Sequence, residues 1–378
     1  MIETIEIRDC WHGMKNDFFS RWKRYNKSGV LEGVMPGKKE HKDAEGYAMK
    51  KIINDPGKVV DEMLDGFVYA HEGTVKRLEE TGVIYRTFRD EGKVALISGG
   101  GSGHEPSHAG FVGEGMLSAA VCGEVFTSPT PDQIFEAIKK ADQGAGVFMI
   151  VKNYTGDVMN FDMAQELAEM EDIQVDKIVV DDDIAVEDST YTAGKRGVAG
   201  TVLVHKILGA AAAEGQPLQE IKALAERLVP NVKTIGVAIS PATVPEVGKP
   251  GFVLQEDEME YGVGIHGEPG YRREKIKSSK AIAEELVTRL KTAFNWKEGD
   301  RFALLVNGLG ATPLMEQYIF TKDVHALLDR EGLAVPFRKV GNLMTSIDMA
   351  GLSLTLVKLE DEAWLKFLKR PVSVPAWV

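Results

Sequence analysis

The run Val94-Ala95-Leu96-Ile97-Ser98-Gly99-Gly100-Gly101-Ser102-Gly103-His104-Glu105-Pro106 changes character halfway along. Its first residues are apolar without alternation, as in a strand covered on both faces of a parallel sheet. The glycines that follow let the backbone approach a ligand closely and expose its N–H groups. In open α/β sheets ligands bind beyond the carboxyl ends of the strands. The run therefore predicts a strand, a glycine loop and then a helix.

The same alternation continues in both directions. Val147–Val151 and Ile178–Val180 read as further buried strands. Helices are predicted from about Pro131-Asp132, over Phe161 to Met170, and over the alanine-rich Val198 to Ala213. Strands alternating with helices imply parallel βαβ units. A second such region starts near Pro230. It has strand candidates at Thr234–Ile239 and Phe302–Val306, a helix over Ser279–Phe294 and another to about Asp329. A glycine- and proline-rich stretch fills Pro241 to Gly270. The expected fold is α/β, with two α/β domains. Residues 49–230 carry the glycine loop on a mostly parallel, doubly wound sheet, and residues 231–378 form a domain with a mixed sheet.

Residues 1–48 differ from the rest, mixing charges with Trp11, Phe18, Phe19, Trp22 and Tyr25 without a sustained period. Met49 reads as a second natural start. The segment is an N-terminal extension, either upstream sequence or a short docking or dimer-bracing arm.

The 378 residues include 44% hydrophobic and 27% charged residues, an ordinary soluble composition. A net charge of -12 argues against nucleic acid and anionic membranes as partners. No stretch approaches the roughly 18 apolar residues of a membrane span, and the N-terminus lacks a secretory pattern. Cys10 and Cys122, the two cysteines, make neither a disulfide framework nor a thiolate metal cluster. A cytoplasmic protein fits all of this.

Three segments carry candidate chemistry. His104 ends the glycine loop, where an imidazole can act as a general base or can be a helix-start histidine satisfied by backbone. The loop is neither a Walker loop nor a dinucleotide fingerprint. Lys152 and Asp157, in Lys152-Asn153-Tyr154-Thr155-Gly156-Asp157, follow another strand. They can bind hydroxyls or accept a proton, or Asp157 can cap the next helix. His266 sits among glycines in Gly264-Ile265-His266-Gly267-Glu268-Pro269-Gly270. A neutral imidazole there can attack a ketone. It can also be an ordinary loop histidine; no second histidine lies at metal-ligand spacing. Asp181-Asp182-Asp183 can attract a hard cation, but such a run is more often a strand end or helix cap.

Taken in order with Tyr191-Thr192-Ala193-Gly194, these motifs resemble the dihydroxyacetone kinase K-type domain, from Met49 to about the end of the chain. The resemblance implies that His266 holds dihydroxyacetone as a covalent hemiaminal. It implies that His104 and Asp157 activate the hydroxyl to be phosphorylated, and that Gly101, Ser102, Gly103, His104, Lys152 and Asp157 contact the substrate. No nucleotide domain follows, so the similarity is to the bacterial phosphoenolpyruvate-dependent type. There the K subunit, a homodimer, binds no cofactor or metal itself. A separate L subunit carries ADP/ATP with magnesium, recharged through an M subunit. The family also includes K-like coactivators that sense dihydroxyacetone for a transcription regulator. Retention of both His104 and Asp157 favours the enzyme.

Overall fold

A computed structural model describes residues 50–187, 189 and 192–377, and those from Lys51 onward form one compact unit. The expectations for residues 1–48 and for Tyr191 lie outside the described residues.

The first sheet comprises β1 (Val75–Arg77), β2 (Val83–Arg86), β3 (Ala95–Ser102), β4 (Ala119–Val125), β5 (Val147–Lys152) and β6 (Val175–Val180). Their order is β1-β2-β4-β3-β5-β6. The four strands from β4 to β6 are parallel, and β1-β2 adds an antiparallel edge. The helices around it are α1 (Val59–Ala70), α2 (Pro131–Ala141), α3 (Thr155–Glu169), α4 (Gly200–Ala213) and α5 (Leu218–Leu228). One face is covered by α2 and α3, through Ile134, Ile138 and Phe161 on Ile97, Val121 and Met149. The other face is covered by α4 and α5, through Val202, Ile207 and Ile221 near Leu96, Phe148 and Ile150. Alternate residues of β3 and β5 thus enter opposite cores, which explains their unbroken apolar runs. Each such side chain contributes about 1.5–3 kcal/mol when fully buried.

The second sheet comprises β7 (Val232–Ala238), β8 (Glu258–Tyr261), β9 (Arg272–Lys275), β10 (Arg301–Gly308), β11 (Ala334–Gly341) and β12 (Gly351–Lys358), ordered β11-β10-β12-β7-β8-β9. Only β10 and β11 run parallel; the other pairs are antiparallel, so the sheet is mixed. Its outer core is formed by α6 (Ser279–Phe294) and α7 (Leu314–Arg330), with Leu286, Leu290, Phe320 and Val324 against Ile235, Leu304 and Leu354. A last helix, α8 (Glu362–Lys369), returns to α4, where Trp364 and Phe367 join the cluster of Val202, Ile207, Ala303 and Leu305. Every residue of α4 from Gly200 to Ala212 is buried. A helix with no solvent face needs small and apolar residues all round, which accounts for its alanines.

Two features of the glycine run differ from the expectation. Strand β3 continues through the glycines to Ser102 instead of ending at Ser98. A Cβ at Gly99 would lie 2.5 Å from the Val121 carbonyl oxygen of β4, so the strand reaches β4 only because that side chain is missing. No α-helix follows it; a turn leads into the 3-10 segment Ala109–Phe111. Pro106 lacks an N–H and disfavours helical geometry in the residue before it.

The two sheets are joined where Asp183 pairs with Thr234. There Asp182, 1% exposed, accepts hydrogen bonds from the Val198 and Gly200 nitrogens at 2.7 and 2.8 Å, at the start of α4. Burial pushes its pKa up to about 6 in spite of these donors. Asp182→Ala should therefore cost about 2–4 kcal/mol, because two buried N–H groups lose their acceptor. Asp181→Ala, at an exposed position, should stay within about 0.5 kcal/mol. Urea unfolding of both variants makes the comparison, and equal effects would remove the capping role.

Candidate functional site

The carboxyl ends of β3, β4 and β5 meet at one edge of the first sheet. Two loops of the second sheet reach it, one between β8 and β9 and one between β11 and β12. His104, one residue beyond Gly103, is fully buried. Its Nδ1 lies 2.7 Å from the Thr345 carbonyl, which can only accept. The proton therefore sits on Nδ1 and the lone pair on Nε2. That Nε2 has no partner among the described residues. The ring stacks on Phe126 at 5.1 Å and meets the edge of His266 at 4.8 Å. Burial, with His266 and the Lys152 ammonium close by, holds its pKa well below the usual histidine range. His104 is thus a neutral acceptor.

His266 comes from the β8–β9 loop. Its Nδ1 is 3.0 Å from Glu268 Oε1, while its backbone N–H donates to Glu268 Oε2 at 3.0 Å. The carboxylate folds back against the loop because Gly264 has no side chain: a Cβ there would lie 1.9 Å from Oε2. Burial raises the Glu268 pKa, but His266 and Arg196 outweigh it and the net shift is downward. An ionised Glu268 fixes the proton on His266 Nδ1 and leaves Nε2 with the lone pair. Arg196 is fully buried and donates from Nε to Asp183 at 2.8 Å and from Nη2 to the Gly262 carbonyl at 2.7 Å. Asp183 and Asp182 are thereby committed to an ion pair and to the start of α4.

At the end of β5, the Lys152 ammonium donates to the Gly99 carbonyl and to His108 Nε2, both at 3.0 Å, and lies 3.5 Å from Asp157 Oδ2. His108 in turn meets His205 Nε2 at 2.9 Å. Gly100 makes the room, since a Cβ there would be 2.2 Å from Lys152 Nζ. Asp157 stands in the first turn of α3, where carboxylates are favoured. It does not cap the helix, and its Oδ1 is buried without a partner among the described residues. Asp157, His266, Gly101, Phe126 and Tyr154 line a cavity of about 550 Å³. Phe126 and Tyr154 each set a ring against His266, at 5.2 and 4.5 Å.

Residues 65–376 match the Dak1 domain. The chain belongs to the Dak1 family. It is 65% identical over 328 residues to a Lactococcus lactis protein named PTS-dependent dihydroxyacetone kinase, dihydroxyacetone-binding subunit DhaK, covering 87% of this chain and 99% of that one. It is also 49% identical over 329 residues to the DhaKLM operon coactivator DhaQ of the same organism, covering 86% and 100%. A solved structure of the dihydroxyacetone kinase operon co-activator Dha-DhaQ superposes with a TM-score of 0.80 at 50% identity, over 84% of this chain and 97% of that one.

Of the residues singled out from sequence, this Dak1 chain gathers His104, Lys152, Asp157, His266, Gly101 and Gly103 at one edge. Ser102 is beside them, but its hydroxyl donates to the Gly123 carbonyl at 2.6 Å. Phe126, Tyr154, Glu268, Arg196 and Thr345 were not assigned roles from the sequence. Tyr154 and Glu268 stood inside the motifs as quoted, and an acid two residues from a nucleophilic histidine was the available signal. Arg196, Phe126 and Thr345 carried none.

Three imidazoles here, His104, His108 and His205, are held well below the ordinary histidine range, chiefly by burial, with His205 lowered to about 3. An unfolded chain protonates them below about pH 6.5. Their folded pKa values are depressed, so the stability they contribute is present above that pH and is lost as pH falls towards the folded values. By pH 5 each ring that stays neutral should have cost about 2 kcal/mol. Urea unfolding at pH 7.5 and pH 5 measures this; an unchanged midpoint would mean that the folded protein accepts the protons.

Proposed function

We propose that this chain is the dihydroxyacetone-binding subunit of a multi-subunit dihydroxyacetone kinase. The supporting observation is a cavity lined by His266 and Asp157, where Glu268 orients His266, the His104 ring meets the His266 ring, and His104 Nε2 and Asp157 Oδ1 have no partner among the described residues. Identity to a named dihydroxyacetone-binding subunit over nearly its whole length agrees with this.

In this reading the His266 Nε2 lone pair attacks the ketone carbon, and the carbonyl π pair moves to oxygen. Glu268 stabilises the proton on Nδ1 as positive charge develops on the ring, then draws it off. The oxygen takes up a proton, leaving a neutral hemiaminal. Glycerol has no carbonyl and is excluded. Capture in one orientation offsets the scarcity of handles on a very small substrate. Asp157 then takes the proton from the terminal hydroxyl while His104 Nε2 accepts a hydrogen bond that orients the substrate, with an effect typically of 10²–10⁴-fold.

The phosphoryl group comes from ATP held with magnesium on a separate L subunit, and the ADP left there is recharged from phosphoenolpyruvate through an M subunit. The chain itself works as a homodimer in the cytoplasm. Among the described residues no helix is long and apolar enough to cross a membrane. The alternative is a dihydroxyacetone-sensing coactivator, which the 49% identical relative named DhaQ supports. His104 and Asp157, both poised as acceptors, favour the kinase.

Mass spectrometry of substrate-treated protein should show a His266 adduct that His266→Ala abolishes; equal capture by both would sink the covalent step. His104→Ala and Asp157→Asn should keep the adduct while phosphorylation with the full partner set falls by at least about 10²-fold, equivalent to about 2.7 kcal/mol. A wild-type protein that captures substrate but is never phosphorylating with any partner set would indicate the coactivator.

A further inference from the structure

Two buried histidines take no part in the chemistry above, and neither lines the cavity. His108 is 3% exposed and His205 and Lys152 are fully buried. They form an unbroken line: Lys152 Nζ to His108 Nε2 at 3.0 Å, then His108 Nδ1 to His205 Nε2 at 2.9 Å. An ammonium can only donate, so His108 Nε2 must accept and its proton must sit on Nδ1. That Nδ1–H donates to His205 Nε2. His205 therefore carries its own proton on Nδ1, an atom without a partner among the described residues. The tautomer of both rings is dictated from the site outward.

Packing alone does not call for this arrangement. His205 sets its ring 6.2 Å from Phe111 of the apolar core and His108 packs against His205, where apolar side chains would avoid the cost of burying imidazoles. Leaving the last N–H unsatisfied costs about 1–3 kcal/mol more. What the line secures is the ammonium. Two of the three Lys152 N–H groups are fixed, one by the Gly99 carbonyl and one by His108, which directs the third side of the ammonium toward Asp157 Oδ2 at 3.5 Å. The rings do not compete for the charge, because burial keeps both neutral.

We propose that His108, braced by His205, is a positioning residue that pins Lys152 against Asp157, so that the carboxylate is held where it takes up the substrate proton. The inference rests on the kinase reading, and it assigns a place in the reaction to residues that never touch substrate.

The test compares His108→Leu with His108→Gln in the full chain with its partner subunits, reading His266 adduct formation, turnover and thermal midpoint. The glutamine oxygen can accept from Lys152 where Nε2 does. His108→Leu should keep the adduct but lose about tenfold or more in turnover, as small misplacements of reacting groups do. His108→Gln should restore most of that loss. Turnover unchanged in His108→Leu, or equally reduced in both, would overturn the proposal, the second pattern being that of a merely structural residue. Should His108→Leu fail to fold, nitrogen NMR of the labelled wild-type histidines decides: Nδ1–H tautomers at His108 and His205 support the line, and an Nε2–H tautomer at His108 overturns it. A wild type inactive with every partner set would overturn the kinase reading and this inference together, whereas an active wild type with an unaffected His108→Leu overturns the inference alone.

Discussion

A side chain at position 100 would put its Cβ 2.2 Å from the Lys152 Nζ, so the ammonium could not keep its place. The site depends on that space. A cation buried beneath the end of a parallel strand would ordinarily be expelled or neutralised by its desolvation cost. Here it is retained because a backbone carbonyl, an imidazole and a carboxylate surround it. The glycine strand therefore does more than bring backbone near a ligand. It admits a charge from the neighbouring strand into its own line, and the charge orders the acidic residue at the start of α3.

A second ionic line meets the first from the other sheet. Asp183 neutralises Arg196, Arg196 biases Glu268 towards ionisation, and Glu268 sets the tautomer of His266. Neither line contains a freely solvated charge at its buried end. His104 stands between them without net charge, its Nδ1 tied to Thr345 of the second sheet. The Thr345 and Ile347 nitrogens bond back to the His104 and Gly103 carbonyls at 3.2 and 2.7 Å. The nucleophile and the proton acceptors thus belong to different sheets, and hydrogen bonds across the junction fix their separation.

Much of this was legible in the sequence. The buried strands announced a parallel sheet, and the helix expected over Ser279–Phe294 has those bounds in the structure, where Ser278 caps its start and Asn295 closes its end. The candidate histidines and Asp157 were visible because each stands among glycines or beside a strand end. The strand through Gly99–Ser102 was not legible, because glycines disfavour strands locally and only β4 shows why they are needed. His108 and His205 were invisible for a related reason: each looks like a solitary histidine until the fold brings positions 97 residues apart to 2.9 Å. Arg196 follows Lys195 in a polar stretch, and its partners Asp183 and Gly262 come from two separate segments.

The burial of α4 on every side has a consequence for how the chain is made. The helix is complete by Ala213, yet part of its cover, α8, ends at Lys369. Ser373 then pairs with Glu114, and the Ala376 nitrogen donates to the Gly110 carbonyl at 2.9 Å. At translation rates of about 5–20 residues per second, roughly 8–30 seconds separate the emergence of α4 from that of its cover. During that interval the nascent chain carries an apolar helix with an open flank. The first sheet is thus early in synthesis and late in completion, and a ribosome that stalls within the last strand leaves α4 unsealed.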